Sequence, residues 1–346
     1  MALGQEKPTR IRIGIKPLMA DSILLIFTNK KYGQHVLKPD SNGLFTLTLP
    51  LAKASFAEID TYKPLKDTLS LYLEPGDDQL IQTDFRTKIS YSGKGSENST
   101  VLNSIKQLYL EGYQKIRAVG KTSIQATYEQ TEQMNKTCLA FLDANKNRVS
   151  PGFYEQERTK FYYEALTAEV QAPYQYSQSF GKKMTEVLSP GYMDMLQKVE
   201  LSDAMLQYPA YTAFVKNALP AFLRYRQLYQ IGKLDSAHKQ PVEEKFEMEY
   251  DLAKQYLKGN IQKMVMFSTM ESLLKAAPNV KAYQSLMNEY IKTHASKDEA
   301  NIIKQLYKTQ SELAPGMEPP AVMLNDLNGK KISLKDFLGK VVYIDF

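Results

Sequence analysis

The chain has 346 residues, of which 43% are hydrophobic and 24% charged, and its formal net charge is +6. This length exceeds what one compact core usually holds, and the composition indicates a soluble, globular, multidomain protein rather than a disordered or fibrous one. The positive excess is scattered without a basic cluster, and no apolar stretch is long enough to cross a bilayer, which argues against nucleic-acid binding and against a transmembrane helix.

Residues 1–96 are predicted to form an antiparallel β-rich domain that resembles a sandwich. Apolar residues alternate with other residues in runs around Ile13, Leu47 and Leu71. A period of two places the apolar side chains on one face of a strand. Turn signals that contain proline and glycine, at 38–43 and 74–78, separate the runs. Several short strands at this spacing favour a sandwich or a partial barrel.

Residues 97–310 are predicted to form an all-α domain of about six to eight helices. Val101, Ile105 and Leu108 recur at helical spacing, and apolar residues of 280–294 do the same. Asn98 or Ser99 is expected to cap the first helix, because a short polar side chain accepts hydrogen bonds from free backbone N–H groups.

Residues 311–346 are predicted to hold a proline-bearing linker and the first elements of a third, α/β domain. We expect a short strand at 322–324, a hairpin turn at Asn328-Gly329, and a brief helix that Ser333 caps. The run 341–346 is nearly all apolar, which is typical of a strand covered on both faces of a sheet. Because such a strand needs neighbours, we expect the remainder of this domain to lie beyond Phe346.

Residues 319–330 (PPAVMLNDLNGK) and 333–342 (SLKDFLGKVV) resemble the opening of TlpA/ResA-like thioredoxin-fold proteins. Residues 71–77 and 91–98 are similar to the β-rich N-terminal domain that often precedes such modules in Gram-negative bacteria. The resemblance implies a thioredoxin-like thiol–disulfide oxidoreductase in the periplasm or attached to the envelope. Its partners would be a client protein with thiols or a disulfide and an upstream redox donor, and a homodimer is compatible with it.

In that family a Cys-x-x-Cys motif follows this stretch, but residues 1–346 contain a single cysteine, Cys138. Disulfide exchange needs a thiolate with a lowered pKa and a second, resolving thiol. We therefore assign no catalytic, cofactor-binding or metal-binding residue and no cofactor, and we expect this 346-residue chain to be inactive. Its function would be docking and substrate selection for the catalytic domain beyond Phe346.

Two alternatives remain open for the function. A peroxiredoxin-type domain opens similarly and reduces peroxides with one reactive cysteine. A non-enzymatic binding or scaffold protein would need no cysteine pair at all. The cellular location also has an alternative, because the polar residues 1–10 and the single cysteine fit either a cytosolic protein or one whose signal peptide has been removed.

Residues of reactive type elsewhere have ordinary structural explanations. Cys138 shares a helical face with Met134 and Leu142, which favours a small buried hydrophobe over a nucleophile. The three histidines are far apart in the sequence and form no zinc motif: His35, His238 and His294.

Two loops and a group of tyrosines complete the candidates. Gly93-Lys94-Gly95-Ser96 lacks the spacing of a phosphate-binding loop, which favours a strand-to-helix turn. Glu74, Asp77 and Asp78 flank a Pro-Gly turn and are typical of solvated turn residues rather than of an acid–base pair or cation site. Tyrosines crowd the helical region, where packing between helices is favoured over a ligand groove or docking surface: Tyr162, Tyr163, Tyr174, Tyr176, Tyr208, Tyr211, Tyr225 and Tyr229.

Overall fold

The computed structural model describes residues 6–16, 21–60, 68–84, 89–120, 123–318, 321–326 and 328–343. Within these residues the chain forms ten β-strands and nine α-helices, with short 3-10 segments and one π-helical turn between helices. The strands are β1 Lys7–Ile15, β2 Ile23–Phe27, β3 Gln34–Leu37, β4 Leu44–Leu51, β5 Ser55–Asp60, β6 Thr68–Leu73, β7 Asp78–Thr83, β8 Ile89–Lys94, β9 Met323–Asn325 and β10 Lys331–Ser333. The helices are α1 Ser96–Val119, α2 Ile124–Ala144, α3 Pro151–Phe180, α4 Pro209–Ala213, α5 Leu219–Gln230, α6 Val242–Tyr256, α7 Gly259–Ala276, α8 Gln284–Thr293 and α9 Lys297–Glu312.

The first eight strands form two four-stranded sheets, in the orders β4-β1-β7-β8 and β3-β2-β5-β6. The second sheet is antiparallel throughout. In the first sheet β1 is antiparallel to β4 but parallel to β7, so the prediction of a purely antiparallel β-region is wrong. Between β1 and β7 the chain forms β2 and β3 in the second sheet, β4 in the first and β5 and β6 in the second, and β7 then runs beside β1 in the same direction.

Both sheets contribute side chains to one hydrophobic core. Ile13 and Phe45 of the first sheet and Leu25 and Ile59 of the second are fully buried in the same cluster. The predicted alternation around Ile13 is confirmed, because Ile11 and Ile13 are buried while Arg10 and Arg12 are not. Around Leu71 the leucines of β6 lie in this core, but Tyr72 is buried as well, so the other face of β6 is not directed to water. The coarse prediction of a β-rich region followed by helices is therefore confirmed in the described residues.

Helices α1 to α3 pack on the other face of β5 and β6. The ring of Tyr72 in β6 lies 5.0 Å from that of Phe56 in β5 and 5.0 Å from that of Phe153 in α3. Together with Val101 of α1 and Cys138 of α2, Tyr72 and Phe153 belong to a second hydrophobic core, which we call the sheet–helix core. Strand β6 therefore contributes alternate side chains to two cores.

Helix α1 begins earlier than the sequence predicts. Its N-cap is Gly95, in a left-handed conformation with φ of 84°, so the expected cap at Asn98 or Ser99 is wrong. Both side chains are used elsewhere: the oxygen of the Asn98 amide accepts from the Ser150 N–H at 2.9 Å, and Ser99 Oγ donates to Gln79 Oε1 at 2.8 Å. They connect the first turn of α1 to neighbouring segments instead of capping it.

The described chain divides by packing into two compact units, residues 1–192 with 207–211 and residues 193–206 with 212–346. The first contains β1 to β8 and α1 to α3, and the second contains α5 to α9 and the β9–β10 hairpin. The predicted domain limits at 96/97 and 310/311 stay predictions, although the change from strands to helices does occur between Lys94 and Ser96. No helix in the described ranges is both long and apolar enough to span a bilayer.

Candidate functional site

The segment 321–343, which we call the C-terminal segment, folds locally around a hairpin. Strands β9 and β10 pair antiparallel. At the turn, Asp326 Oδ1 accepts from the N–H groups of Asn328 and Lys330, each at 2.9 Å, and Gly329 has a φ of 79°. The predicted strand and hairpin turn are confirmed, because the Asp side chain and the positive φ together define a tight connection.

A single 3-10 turn, Leu334–Phe337, follows the hairpin. Ser333 Oγ accepts from the N–H of Lys335 at 3.2 Å, and the N–H of Ser333 donates to Asp336 Oδ2 at 2.8 Å. Gly339 after the turn has a φ of 81°. The predicted cap at Ser333 is confirmed, since the two side chains satisfy N–H groups that the short helix leaves free.

The C-terminal segment exposes its apolar side chains. Leu324 is 59% exposed, Leu338 81% and Tyr343 88%, and Val341 is completely exposed. The predicted strand over 341–346 is wrong for 341–343, which form no strand, while 344–346 lie outside the described residues. The physical reason is that a strand must pair its backbone groups, and in the described ranges no strand lies beside 341–343. The result is an uncovered apolar surface, which is the candidate site for packing against further structure.

Cys138 is fully buried on α2, in the sheet–helix core. Burial raises the pKa of its thiol, and the ammonium of Lys160 only partly opposes this shift. A buried thiol with a raised pKa is a poor nucleophile. This position agrees with the prediction that Cys138 is a small buried hydrophobe.

The structure does not bring the three histidines together as a metal site. His35 Nε2 lies 2.8 Å from the carbonyl oxygen of Tyr32, His238 is exposed, and His294 stacks on Tyr290 at 6.4 Å between ring centroids. In the described part of the chain, no three histidine, cysteine, aspartate or glutamate side chains are close enough to hold a metal ion.

The 74–78 turn and the 93–96 turn, which are separate in the sequence, lie next to each other in the structure. Lys94 Nζ donates to the carbonyl oxygen of Gly76 at 2.8 Å, so this lysine joins two turns of the protein. A Cβ at Gly95 would lie 2.2 Å from the carboxylate of Asp77, which explains why glycine is required at this close approach. The arrangement is that of a strand-to-helix turn and not of a phosphate cradle.

The three acidic residues of the 74–78 turn also have structural partners. Asp77 Oδ2 accepts from the N–H of Glu74 at 2.8 Å, and burial raises the pKa of Asp77. Glu74 Oε1 accepts from Ser150 Oγ at 2.9 Å. The hydrogen bond from Arg10 is the main reason that the pKa of Asp78 is lowered. These contacts fix the turn and leave no acid–base pair.

The eight tyrosines separate into packed and exposed residues. The rings of Tyr163 and Tyr211 are buried 4.8 Å apart in the first unit. Three others are more than two fifths exposed: Tyr162, Tyr174 and Tyr229. The sequence analysis missed a further exposed group on the second half of α1, formed by Tyr109, Leu110 and Tyr113.

The sequence analysis also missed Glu157 of α3, a buried carboxylate. Its side chain is completely buried, and neither carboxylate oxygen has a hydrogen-bond partner there. Lys160 Nζ lies 3.5 Å from Oε2, which is too long for a good hydrogen bond. Glu157 lies four residues after Phe153 and four residues before Phe161, so the three side chains share one face of α3. A carboxylate between two aromatic residues on one helical face is the sequence pattern that could have indicated this site.

Comparison of the chain with protein-family models, with curated proteins and with solved structures finds no match. The similarity of 319–342 to the opening of thioredoxin-like proteins therefore stays a prediction from the sequence.

Proposed function

We propose that residues 1–346 are the docking and substrate-selection region of an envelope thiol–disulfide oxidoreductase. In this proposal residues 311–346 begin a thioredoxin-like domain, which continues beyond Phe346 and carries the reactive cysteine pair. The β-sandwich-like and helical parts would recognise a client protein with thiols or a disulfide, and an upstream redox donor would restore the cysteines.

The observation that supports the proposal is the exposed apolar surface of the C-terminal segment. A two-stranded hairpin has little stability by itself and usually packs against further strands or a helix. Leu324, Leu338 and Val341 expose most of their surface to solvent. Covering them with the remainder of a sheet and its helices would remove this apolar area from water, which is favourable by about 25 cal/mol per Å².

Exposed aromatic residues elsewhere support a docking role for the preceding region. Tyr109, Leu110 and Tyr113 form an exposed group on one helix. Tyrosine is enriched in protein–protein interfaces because it buries a large apolar area and keeps a polar hydroxyl.

The test compares the product of the complete reading frame with the chain of 1–346 in an insulin-reduction assay with dithiothreitol. We expect the complete product to accelerate reduction and the 346-residue chain to give the buffer rate. Equal activity of the two, or an inactive complete product, would overturn the proposal. Consumption of hydrogen peroxide by the complete product, without insulin reduction, would instead favour the peroxiredoxin-type alternative.

A further inference from the structure

Glu157 lies on α3, within the apolar stripe that this helix contributes to the sheet–helix core. It is one helical turn from Phe153, which packs on Tyr72, and one turn from Phe161, and all three aromatic residues belong to the sheet–helix core. The carboxylate is thus placed between two aromatic side chains by which α3 packs into the sheet–helix core.

Among the described residues, the titratable groups around Glu157 include one positive charge. They are Lys160 and Glu164 on α3 and Tyr72 on β6. Lys160 also acts on Cys138 of α2 and Tyr109 of α1, and Glu74 and Asp77 act on Tyr72. The Lys160 side chain is 41% exposed, so water weakens its attraction for Glu157. Glu164 has the same sign of charge as Glu157 and opposes its ionisation.

An ionised carboxylate is costly to bury without hydrogen bonds, because its hydration is lost and not replaced. Burial therefore raises the pKa of Glu157, against the smaller, opposing effect of Lys160. The neutral acid also lacks partners, but its transfer from water to an apolar site costs far less than that of the charged form.

We propose that Glu157 makes the packing of α3 sensitive to pH: the neutral side chain stays buried in the apolar stripe of α3, and its ionisation loosens α3 from the sheet–helix core. The inference concerns the first unit alone and does not depend on the proposed function. When folding raises the pKa of an acid, its contribution to stability is fully present below the ordinary pKa of glutamate, where the side chain is neutral in both the folded and the unfolded chain. That stability is lost as the pH rises from there through the raised value, so α3 opens more readily toward alkaline pH.

Hydrogen exchange followed by mass spectrometry tests this proposal on peptides from β6 and from the first half of α3. After correction for the intrinsic exchange rate, the opening equilibrium constant of the wild type should rise with pH, by up to about tenfold per pH unit within the titration range. Glu157→Gln has nearly the same shape and no charge, and we expect it to abolish this rise. Retention of the wild-type pH dependence in Glu157→Gln would overturn the proposal.

A second variant separates titration from simple packing. Lys160→Gln removes the charge that favours the ionised form, so the midpoint of the pH dependence should move upward, and an unchanged midpoint would contradict the proposal. Glu132→Gln is the matched control, because Glu132 is exposed on α2 and the hydrogen bond from Lys136 lowers its pKa. The alkaline rise in α3 opening should persist in this control.

Discussion

The buried ion pair of the second unit shows how strongly one side chain can depend on another. Arg224 Nε donates to Glu249 Oε1 at 2.9 Å, and both side chains are only 4% exposed. Arg224 also donates to Gln240 Oε1 at 3.3 Å. Loss of hydration raises the pKa of Glu249, and Arg224 opposes that shift. Without the arginine, a carboxylate would be left buried and unpaired.

We expect Arg224→Met to destabilise the protein by about 3–5 kcal/mol, the usual cost of breaking a buried ion pair on one side. Urea denaturation at neutral pH would measure the change in unfolding free energy.

Lys254→Met is the matched control, because Lys254 pairs with Glu289 in a contact that is nearly half exposed on both sides. Exposed pairs contribute less than about 1 kcal/mol. Similar losses in the two variants would contradict the assignment of Arg224 as the obligatory partner of a buried charge.

At the scale of secondary structure, α1 protects the edge of a sheet. Strand β6 is the last strand of its sheet, so its outer N–H and C=O groups have no neighbouring strand. The Asn103 side chain accepts from the Ser70 N–H at 3.3 Å and donates to the Ser70 carbonyl at 2.6 Å. Further along, Ser99 Oγ accepts from the N–H of Tyr72 at 3.1 Å. The amide of Asn103 thus replaces the backbone of a missing strand.

Asn103→Ala should cost about 1–3 kcal/mol, because it leaves two partly buried backbone groups without partners. Thermal or urea unfolding would measure the loss. Gln107→Ala is a control on the same helix, since the Gln107 side chain is exposed and bonds only to Glu111 in the described contacts. A loss for Asn103→Ala within about 0.5 kcal/mol of that control would show that water replaces the amide.

The elements that the sequence predicts well are those with a local signal. The alternation around Ile13 defines β1, and Asn328-Gly329 marks the turn between β9 and β10, where Asp326 Oδ1 accepts from the Asn328 N–H. Helices α6 and α7 are separated by Leu257 and Lys258, and the break is marked by Gly259, whose φ is 65°. This single glycine signal was not used in the sequence analysis, and such a break adds to the number of helices.

Features set by distant partners were not predictable. The parallel pairing of β1 with β7 joins residues far apart in the sequence, and no local pattern indicates its direction. The cap of α1 depends on Gln79 and Ser150, which divert the side chains of Ser99 and Asn98. The hairpin and the short helical turn of the candidate site could be predicted from the sequence. The exposure of Val341 could not, because it depends on which surfaces are covered in three dimensions.

At the scale of the whole molecule, Cys138 provides a probe of opening in the first unit. The thiol is fully buried and its pKa is raised, so both access and thiolate formation are suppressed. We expect iodoacetamide to label it in the native protein at least about 10³-fold more slowly than in the unfolded chain, as an opening free energy of several kcal/mol requires.

The control for labelling is Gln133→Cys in a Cys138→Ala background, because Gln133 is exposed on the same helix. This variant should react at nearly the unfolded rate. Fast labelling of native Cys138 would mean that α2 separates readily from its neighbours.

The double use of β6 has a consequence for how the chain can change over evolutionary time. Leu71 and Leu73 face the core between the sheets, whereas Tyr72 faces the sheet–helix core. Recombination that exchanged residues 1–94 for those of a distant homologue could place a different side chain at position 72, opposite the original Phe153. Crossovers there should survive only when both parents match at this contact, so the strands and the first three helices should be inherited as one block.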